Sequence, residues 1–214
     1  MLLLLDNASG RPGLERNRRR RLLAAAALLD LAHGCRVRPT TPGEPPGPGR
    51  LVLLMGPDPA DPVLSPVLRL LSRRPITAQA AIAKLQRRIE DDLLGHLERT
   101  GQVRSVPVYG KAFKREPAWL LTDRTRAAWA RARMFETLFE DTTPTPCTAA
   151  VVSLLHLADS LGALLSLDER GWDWVNGRAA EIASGSWISD SEEDAELADV
   201  NLAVTIAALR PALT

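Results

Sequence analysis

The chain has 214 residues, of which 45% are apolar, 25% are charged and only 4% are aromatic, and its formal net charge is +1. This composition excludes a disordered chain, because the apolar fraction is high and the net charge is low. The apolar run at residues 2–5 stops at Asp6, far short of the ~20 residues that span a bilayer. It is also too short for a secretory signal peptide, so we expect a cytoplasmic protein.

The charges are distributed very unevenly along the chain. Residues 1–134 carry 24 Lys and Arg against 12 Asp and Glu, whereas residues 135–214 carry 3 against 14. The first part therefore has a net charge of +12 and the second part a net charge of −11. Such asymmetry indicates a basic surface for an anionic partner, balanced by an acidic remainder. Of the 27 basic residues, 24 are Arg, an excess that fits a GC-rich coding sequence and so reflects codon bias in part.

The predicted elements are mainly helices, taken in chain order from hydrophobic periodicity and from Gly and Pro breaks. Helices are predicted over 14–33, 63–71, 77–100, 123–139, 147–165, 174–183 and 192–209. Short strands are predicted over 36–38 and 51–55, and a β-hairpin is predicted from 102–108 and 111–121. We therefore expect a mainly α protein, a single globular domain with a protruding hairpin and one additional short strand pair.

The helix predicted over 77–100 is the most legible of these elements. Thr77 is a typical N-cap and Gly101 a typical terminator. Its apolar positions recur at helical spacing and predict a buried stripe of Ile82, Leu85, Ile89, Leu93 and Leu97. Lys84, Arg87 and Arg88 are spaced i, i+3, i+4, so they share one outward face.

Two basic features point to an anionic membrane. The first is the run Arg16, Arg18, Arg19, Arg20 and Arg21 at the start of the first predicted helix. The second is the basic helix face of Lys84, Arg87 and Arg88 beside the hairpin, whose tip carries Val108, Tyr109 and Phe113 next to Lys111. Arginines hold lipid phosphates, and an amphipathic tip can enter the headgroup region. The hairpin could equally pack on its own domain, or pair with the same hairpin of a second subunit in a homo-oligomer.

No sequence motif of a known catalytic site is present. There is no nucleophile elbow, phosphate loop or zinc-protease motif. His33, His96 and His156 fall in three different predicted helices, without the spacing of a shared ligand set. Cys35 and Cys147 form neither a disulfide framework nor a metal clip. The sequence therefore predicts a protein that is not an enzyme and that needs no cofactor or metal.

Four collinear motifs resemble the Golgi phosphoprotein 3 family. Residues 2–12 (Leu-Leu-Leu-Leu-Asp-Asn-Ala-Ser-Gly-Arg-Pro) resemble the family's opening Leu run followed by Asp-x-x-Ser/Glu-Gly. Residues 28–37 (Leu-Leu-Asp-Leu-Ala-His-Gly-Cys-Arg-Val) are similar to its Leu-x-Glu-Leu-Ala-x-x-Gly-Arg-Leu/Ile motif. Residues 93–103 resemble its helix end before a hairpin, and residues 144–158 resemble its penultimate helical block. The composition is that of a bacterial, actinomycete-type member.

The resemblance implies a helical globule with a protruding hairpin that binds phosphatidylinositol 4-phosphate and serves membrane-protein clients, as eukaryotic members do. Their lipid pocket uses a Trp and an Arg near the first helix, two Arg before the hairpin, and the hairpin itself. Along the matching motifs, the two Arg before the hairpin fall on Arg87 and Glu90. The Arg near the first helix falls on Ala24, and the Trp falls near Glu15. Only Arg87 matches, so residues 16–21 would have to replace the missing charge. Glu90 is expected to weaken phosphate binding.

A winged-helix DNA-binding module is the alternative prediction. Residues 77–100 followed by a basic hairpin have the order of a recognition helix and its wing. Glu90, Asp91 and Asp92 oppose this interpretation, because they lie in the helix that would face the DNA. We therefore expect nucleic acid not to be the partner, and predict a peripheral protein of the cytoplasmic membrane face.

Overall fold

The structure, a computed structural model, describes residues 1–5, 10–109, 115–140, 142–188 and 196–214. Within these residues it has eight α-helices and two small sheets. The helices are α1 (Arg16–His33), α2 (Ser65–Arg73), α3 (Ala78–Leu85), α4 (Ile89–Arg99), α5 (Thr125–Phe139), α6 (Pro146–Leu157), α7 (Glu169–Ser184) and α8 (Leu197–Leu213). The strands are β1 (Val37–Pro39), β2 (Arg50–Leu53), β3 (Ile76–Thr77), β4 (Val103–Tyr109) and β5 (Arg115–Leu121). The predicted mainly α class is confirmed.

Helix α1 lies at the centre of the core. Apart from its first six residues it is apolar on nearly every side, the pattern of a helix that is surrounded by others. It packs against α3, α4, α6 and α8. Asn201 of α8 donates hydrogen bonds to the backbone carbonyls of Ala32 and Val37, at 2.7 and 2.8 Å, and so satisfies groups just where α1 ends.

The first sheet has one more strand than predicted. Strand β1 pairs antiparallel with β2, as expected, and β2 also pairs antiparallel with β3 through Arg50 opposite Thr77 and Leu51 opposite Ile76. Two residues that follow Pro75, the second of which is also the N-cap of α3, carry no alternating pattern, which is why the sequence did not indicate β3. This strand joins α2 to α3 and so fixes where both helices begin and end.

The hairpin is confirmed, and its described part runs from Val103 opposite Leu121 to Tyr109 opposite Arg115. Its base is anchored by a hydrogen bond from the Trp119 N–H to the Gly10 carbonyl, at 2.8 Å. Gly10 has a φ of +62°, and a Cβ there would lie 3.1 Å from the backbone carbonyl oxygen of Trp119. Glycine is therefore favoured at this close approach, because a side chain would be strained at this φ.

The single helix predicted over residues 77–100 is wrong. The chain instead forms α3, a turn at Gln86, Arg87 and Arg88, and then α4. Thr77 caps α3 as predicted, accepting from the Ala80 N–H at 3.2 Å. The second helix begins where three carboxylates follow two arginines, and carboxylates in a first turn are stabilised by the helix dipole. Periodicity misses this break because the apolar stripe continues across it.

The helix predicted over 147–165 is also shorter than expected. It ends at Leu157, where Ala158 is followed by Asp159 at a φ of +46°, and a short 3₁₀ turn takes its place at Leu161–Ala163. Helix α7 is longer than the predicted 174–183, because it already begins at Glu169. Helix α8 is shifted towards the C-terminus relative to the predicted 192–209, since it spans Leu197–Leu213. Residues 192–195 lie outside the described part of the chain.

Candidate basic cleft

An open cleft of about 730 Å³ lies between α2 and the α3–α4 turn. Six of the residues that line it are cationic, and we call them together the basic cleft: Arg69, Arg73, Lys84, Arg87, Arg88 and Arg99. Asp92 is the one carboxylate among the described lining residues. Apolar side chains of α2 and of the preceding turn, including Val63 and Val67, form its floor. The arrangement is a concave surface with a strong excess of positive charge.

Local helix chemistry explains why several of these cations are here. Arg73, Lys84 and Arg99 lie in the last turns of α2, α3 and α4. A cation in that position interacts favourably with the partial negative charge of the helix C-terminus. Three cations at the ends of three helices therefore line the same cleft, while Arg87 and Arg88 line it from the turn.

The predicted outward face of Lys84, Arg87 and Arg88 is exposed and lines the cleft. None of the three has a carboxylate within 4.0 Å in the described part of the chain. Within the described ranges, Arg69 makes only a long hydrogen bond to the Ser65 carbonyl, at 3.5 Å. These guanidinium and ammonium groups are therefore available to an anion from solution. Sequence reasoning missed Arg69, Arg73 and Arg99, since only the fold brings α2 and the end of α4 to this turn.

The start of α1 is arranged differently. Arg19 donates through Nε to Glu90 Oε1 at 2.6 Å and through Nη1 to the Leu14 carbonyl at 2.6 Å. Arg20 donates through Nε to Glu90 Oε2 at 2.8 Å. Only 9% of Arg19 and 4% of Glu90 are exposed. Both oxygens of this carboxylate are thus occupied by internal arginines that tie α1 to α4.

This ion-paired cluster of Arg19, Arg20 and Glu90 changes two expectations. Arg19 was predicted to contact lipid, but its side chain lies in the interior, and Arg20 is largely covered. Glu90 was expected to weaken phosphate binding, but its carboxylate is buried against α1 and does not line the basic cleft. A negative charge that is neutralised internally by two cations exerts little repulsion on an anion outside.

The other arginines of the run remain at the surface. Arg16 is exposed, and Arg18 donates to the backbone carbonyl of Asp159 at 2.7 Å. Arg20, Arg21 and Arg87 line a smaller cleft of about 460 Å³ between α1 and α3. Arg87 is therefore the residue at which the two predicted basic features meet.

The described part of the hairpin contains Val108 and Tyr109 at the end of β4. Lys111 and Phe113, the other two residues predicted to touch a membrane, lie outside the described residues. At the base of the hairpin, Val103 and Ala118 are buried. The hairpin is thus fixed to the domain at its base, and the role of its tip stays a prediction.

The three histidines lie apart, on α1, α4 and α6. Burial and the nearby Arg210 lower the pKa of His156, while Asp159 opposes the effect. His33 lies 3.7 Å from Asp199 and His96 lies beside the hairpin base. Nothing in the described residues joins them into one site.

No helix among the described residues combines the length and the apolar character needed to cross a bilayer. A search of curated proteins returned no match to this chain. A family model described as Golgi phosphoprotein 3 (GPP34) matches residues 1–198, nearly the whole chain. The match covers all four motifs and every element as far as the start of α8, and the chain therefore belongs to the Golgi phosphoprotein 3 family.

Proposed function

We propose that this protein is a peripheral membrane protein that binds anionic phospholipid through the basic cleft. The observation that carries the proposal is the six cations around one open cleft, with a single carboxylate in the described lining. Its role is binding and not catalysis, and it acts at the cytoplasmic face of a membrane.

The charge of the cleft is sufficient for reversible docking. Each Lys or Arg near an anionic leaflet contributes about 1 kcal/mol. Lys84, Arg87 and Arg88 alone would therefore contribute about 3 kcal/mol, before the three further cations are considered. The guanidinium groups also form paired hydrogen bonds to phosphate oxygens, which a diffuse surface charge does not.

The concave shape favours a headgroup that projects from the membrane. A phosphomonoester on a sugar ring carries more charge than a diester phosphate and reaches further into a cleft. The Golgi phosphoprotein 3 family is associated with phosphoinositide binding, which supports phosphatidylinositol 4-phosphate as this headgroup. The hairpin, with Val108 and Tyr109 near its tip, would supply a second contact with the same membrane.

Duplex DNA fits the same surface less well. Helix α4, which would have to serve as the recognition helix, begins with Glu90, Asp91 and Asp92. Asp91 and Asp92 are exposed, so they would face the phosphates that a DNA-binding helix needs to approach. DNA binding is tested by a mobility-shift assay on duplex DNA at ~150 mM salt, and the absence of a shift would exclude this alternative.

The proposal is tested by co-sedimentation with vesicles at ~150 mM salt, close to physiological ionic strength. Three compositions are compared: neutral vesicles, vesicles with generic anionic lipid, and vesicles with phosphatidylinositol 4-phosphate. The double variant Arg87→Glu, Arg88→Glu changes the cleft by four charge units, and we expect its affinity to fall at least about 100-fold. Arg133→Glu, Arg170→Glu makes the same change on α5 and α7 and is the matched control.

Binding of the wild-type chain to both anionic sets, with loss only in the cleft variant, would support charge-driven docking. Preference for the phosphoinositide vesicles would support the narrower headgroup assignment. Equal pelleting of the cleft variant and its control would contradict the site, and no pelleting on any vesicle would contradict the function.

A further inference from the structure

A second, apolar cleft lies next to the basic cleft. It has a volume of about 570 Å³ and is bounded by the first three residues, α1, α4 and α5. Fifteen of the twenty described residues that line it are apolar, so we call it the apolar cleft. Leu23 and Leu97 line it from the interior, whereas Leu93, Ala26 and Ala130 are half-buried at its walls. A cavity with this lining suits a hydrocarbon chain.

The two clefts lie side by side along α4. Pro62, Val63 and Ile89 line both of them. At 100° per residue, Asp92 and Arg99 lie to one side of Ile89 and face the basic cleft. Leu93 and Leu97 lie to its other side and face the apolar cleft. A ligand that passes over Ile89 would therefore reach from the cations to the apolar walls.

Two polar features of the apolar cleft constrain what it holds. The Nδ1 atom of His96 is buried there, without a hydrogen-bond partner among the described residues. A buried polar atom of this kind is normally satisfied, and a hydroxyl or ester oxygen of a ligand would satisfy it. Asp30 and Asp61 line the same cleft together with Arg126 and the N-terminal residue Met1, so its described lining has no excess of positive charge to hold a phosphate. The anionic end of a ligand therefore belongs in the basic cleft.

We infer that the adjoining clefts bind one anionic amphiphile, with its phosphate in the basic cleft and its acyl chain in the apolar cleft. This inference rests on the proposed function and specifies its ligand as a lipid held by its chain as well as by its headgroup. Charge decides the orientation, since six cations face one carboxylate in the described lining of the basic cleft, whereas carboxylates and cations balance in that of the apolar cleft. The protein would then bind a single lipid molecule in solution, without a membrane surface.

The test compares ethyl, octyl and dodecyl phosphate, which share a headgroup and differ only in chain length. Binding to the full chain is measured by calorimetry below the micelle concentration of each probe. Burial of one methylene group of the ligand strengthens binding by a factor of about four. If only four methylene groups of the dodecyl chain were buried in the apolar cleft, the affinity would rise about 200-fold. We therefore expect dodecyl phosphate to bind at least about 100-fold more tightly than ethyl phosphate.

Two variants fill the apolar cleft from opposite walls: Ala130→Phe on α5 and Ala26→Leu on α1. Both variants should lower the affinity for dodecyl phosphate at least tenfold and leave the affinity for ethyl phosphate unchanged. Ala132→Phe adds the same ring at an exposed position of α5 that does not line the cleft, and it should change neither affinity. Unchanged affinity for ethyl phosphate also shows that each variant is folded.

The outcomes separate this inference from the function on which it rests. If vesicles and ethyl phosphate bind but chain length has no effect, the inference is overturned and the proposed function stands. If dodecyl phosphate binds tightly but neither filling variant weakens it, the chain lies elsewhere and the inference is again overturned. If neither the phosphates nor anionic vesicles bind, both are overturned.

Discussion

The basic cleft and the start of α1 contain similar numbers of cations, but the fold uses them in different ways. In the basic cleft, Arg87 and Arg88 extend from a turn into solvent and have no carboxylate partner among the described residues. At the start of α1, Arg19 and Arg20 are held by the buried Glu90. A run of arginines in a sequence therefore does not by itself indicate a binding surface, because a single buried carboxylate can convert part of it into internal structure.

The largest effect, a loss of folding stability, is expected from the substitution Glu90→Gln. Removal of one partner from a buried ion pair costs about 3–5 kcal/mol, because the remaining charges are left uncompensated in the interior. Here two arginines would lose the same carboxylate. Urea denaturation should show a loss of about 3 kcal/mol or more in the free energy of unfolding.

The folded fraction of Glu90→Gln should bind anionic vesicles as the wild-type chain does, since this carboxylate does not line the basic cleft. Asp91→Asn, an exposed neighbour whose nearest contact with Arg20 is 3.7 Å, is the control and should lose less than about 1 kcal/mol. A small loss for Glu90→Gln, equal to that of Asp91→Asn, would show that the cluster is not structural.

The second largest effect concerns the affinity for anionic vesicles. We compare the removal of two cations from the basic cleft with the removal of two from the start of α1. Arg69→Gln, Arg73→Gln removes two cations that line the basic cleft from α2. At about 1 kcal/mol for each cation, the affinity for anionic vesicles should fall about 30-fold. Arg16→Gln, Arg18→Gln removes two exposed cations from the start of α1, and we expect at most a threefold loss. Equal losses would mean that the whole basic half, and not the cleft, determines binding.

Much of the fold could be predicted from the sequence, because local patterns control most of its elements. The run of Ala and Leu that ends at Gly34 in α1 and the strand–turn–strand pattern of residues 102–121 each depend on neighbouring residues. The basic face of Lys84, Arg87 and Arg88 was predicted for the same reason, although it belongs to a helix end and a turn and not to one continuous helix.

The remaining parts of the site depend on contacts between distant residues. Arg19 and Glu90 are separated by 71 positions, and no local pattern indicates that they pair. Arg69 and Arg99 enter the basic cleft from two helices that meet only after folding. One available signal was the change from Arg87 and Arg88 to three consecutive carboxylates, which is typical of a helix N-terminus.

The smallest effect concerns the contribution of the N-cap of α1 to stability. This cap is Glu15, which directly precedes the arginines at the start of the helix. Glu15 accepts hydrogen bonds from the backbone N–H groups of Asn17, at 2.9 Å, and Arg18, at 3.1 Å. These bonds lower the pKa of Glu15 from its ordinary value of 4.5, and nearby arginines add to the effect. A lowered carboxyl pKa stabilises the folded state above pH 4.5, and this stabilisation is lost as the pH falls further.

Glu15→Gln keeps an acceptor oxygen but removes the charge. The wild-type chain should therefore have the higher melting temperature at pH 7, and the difference should narrow as the pH falls below 4.5. Other carboxyl groups titrate in both proteins and cancel in the difference. A difference that stays constant from about pH 7 to pH 3 would show that the charge of Glu15 does not stabilise the helix start. Vesicle binding at neutral pH should be the same for both proteins, because Glu15 orders the start of α1 and does not line the basic cleft.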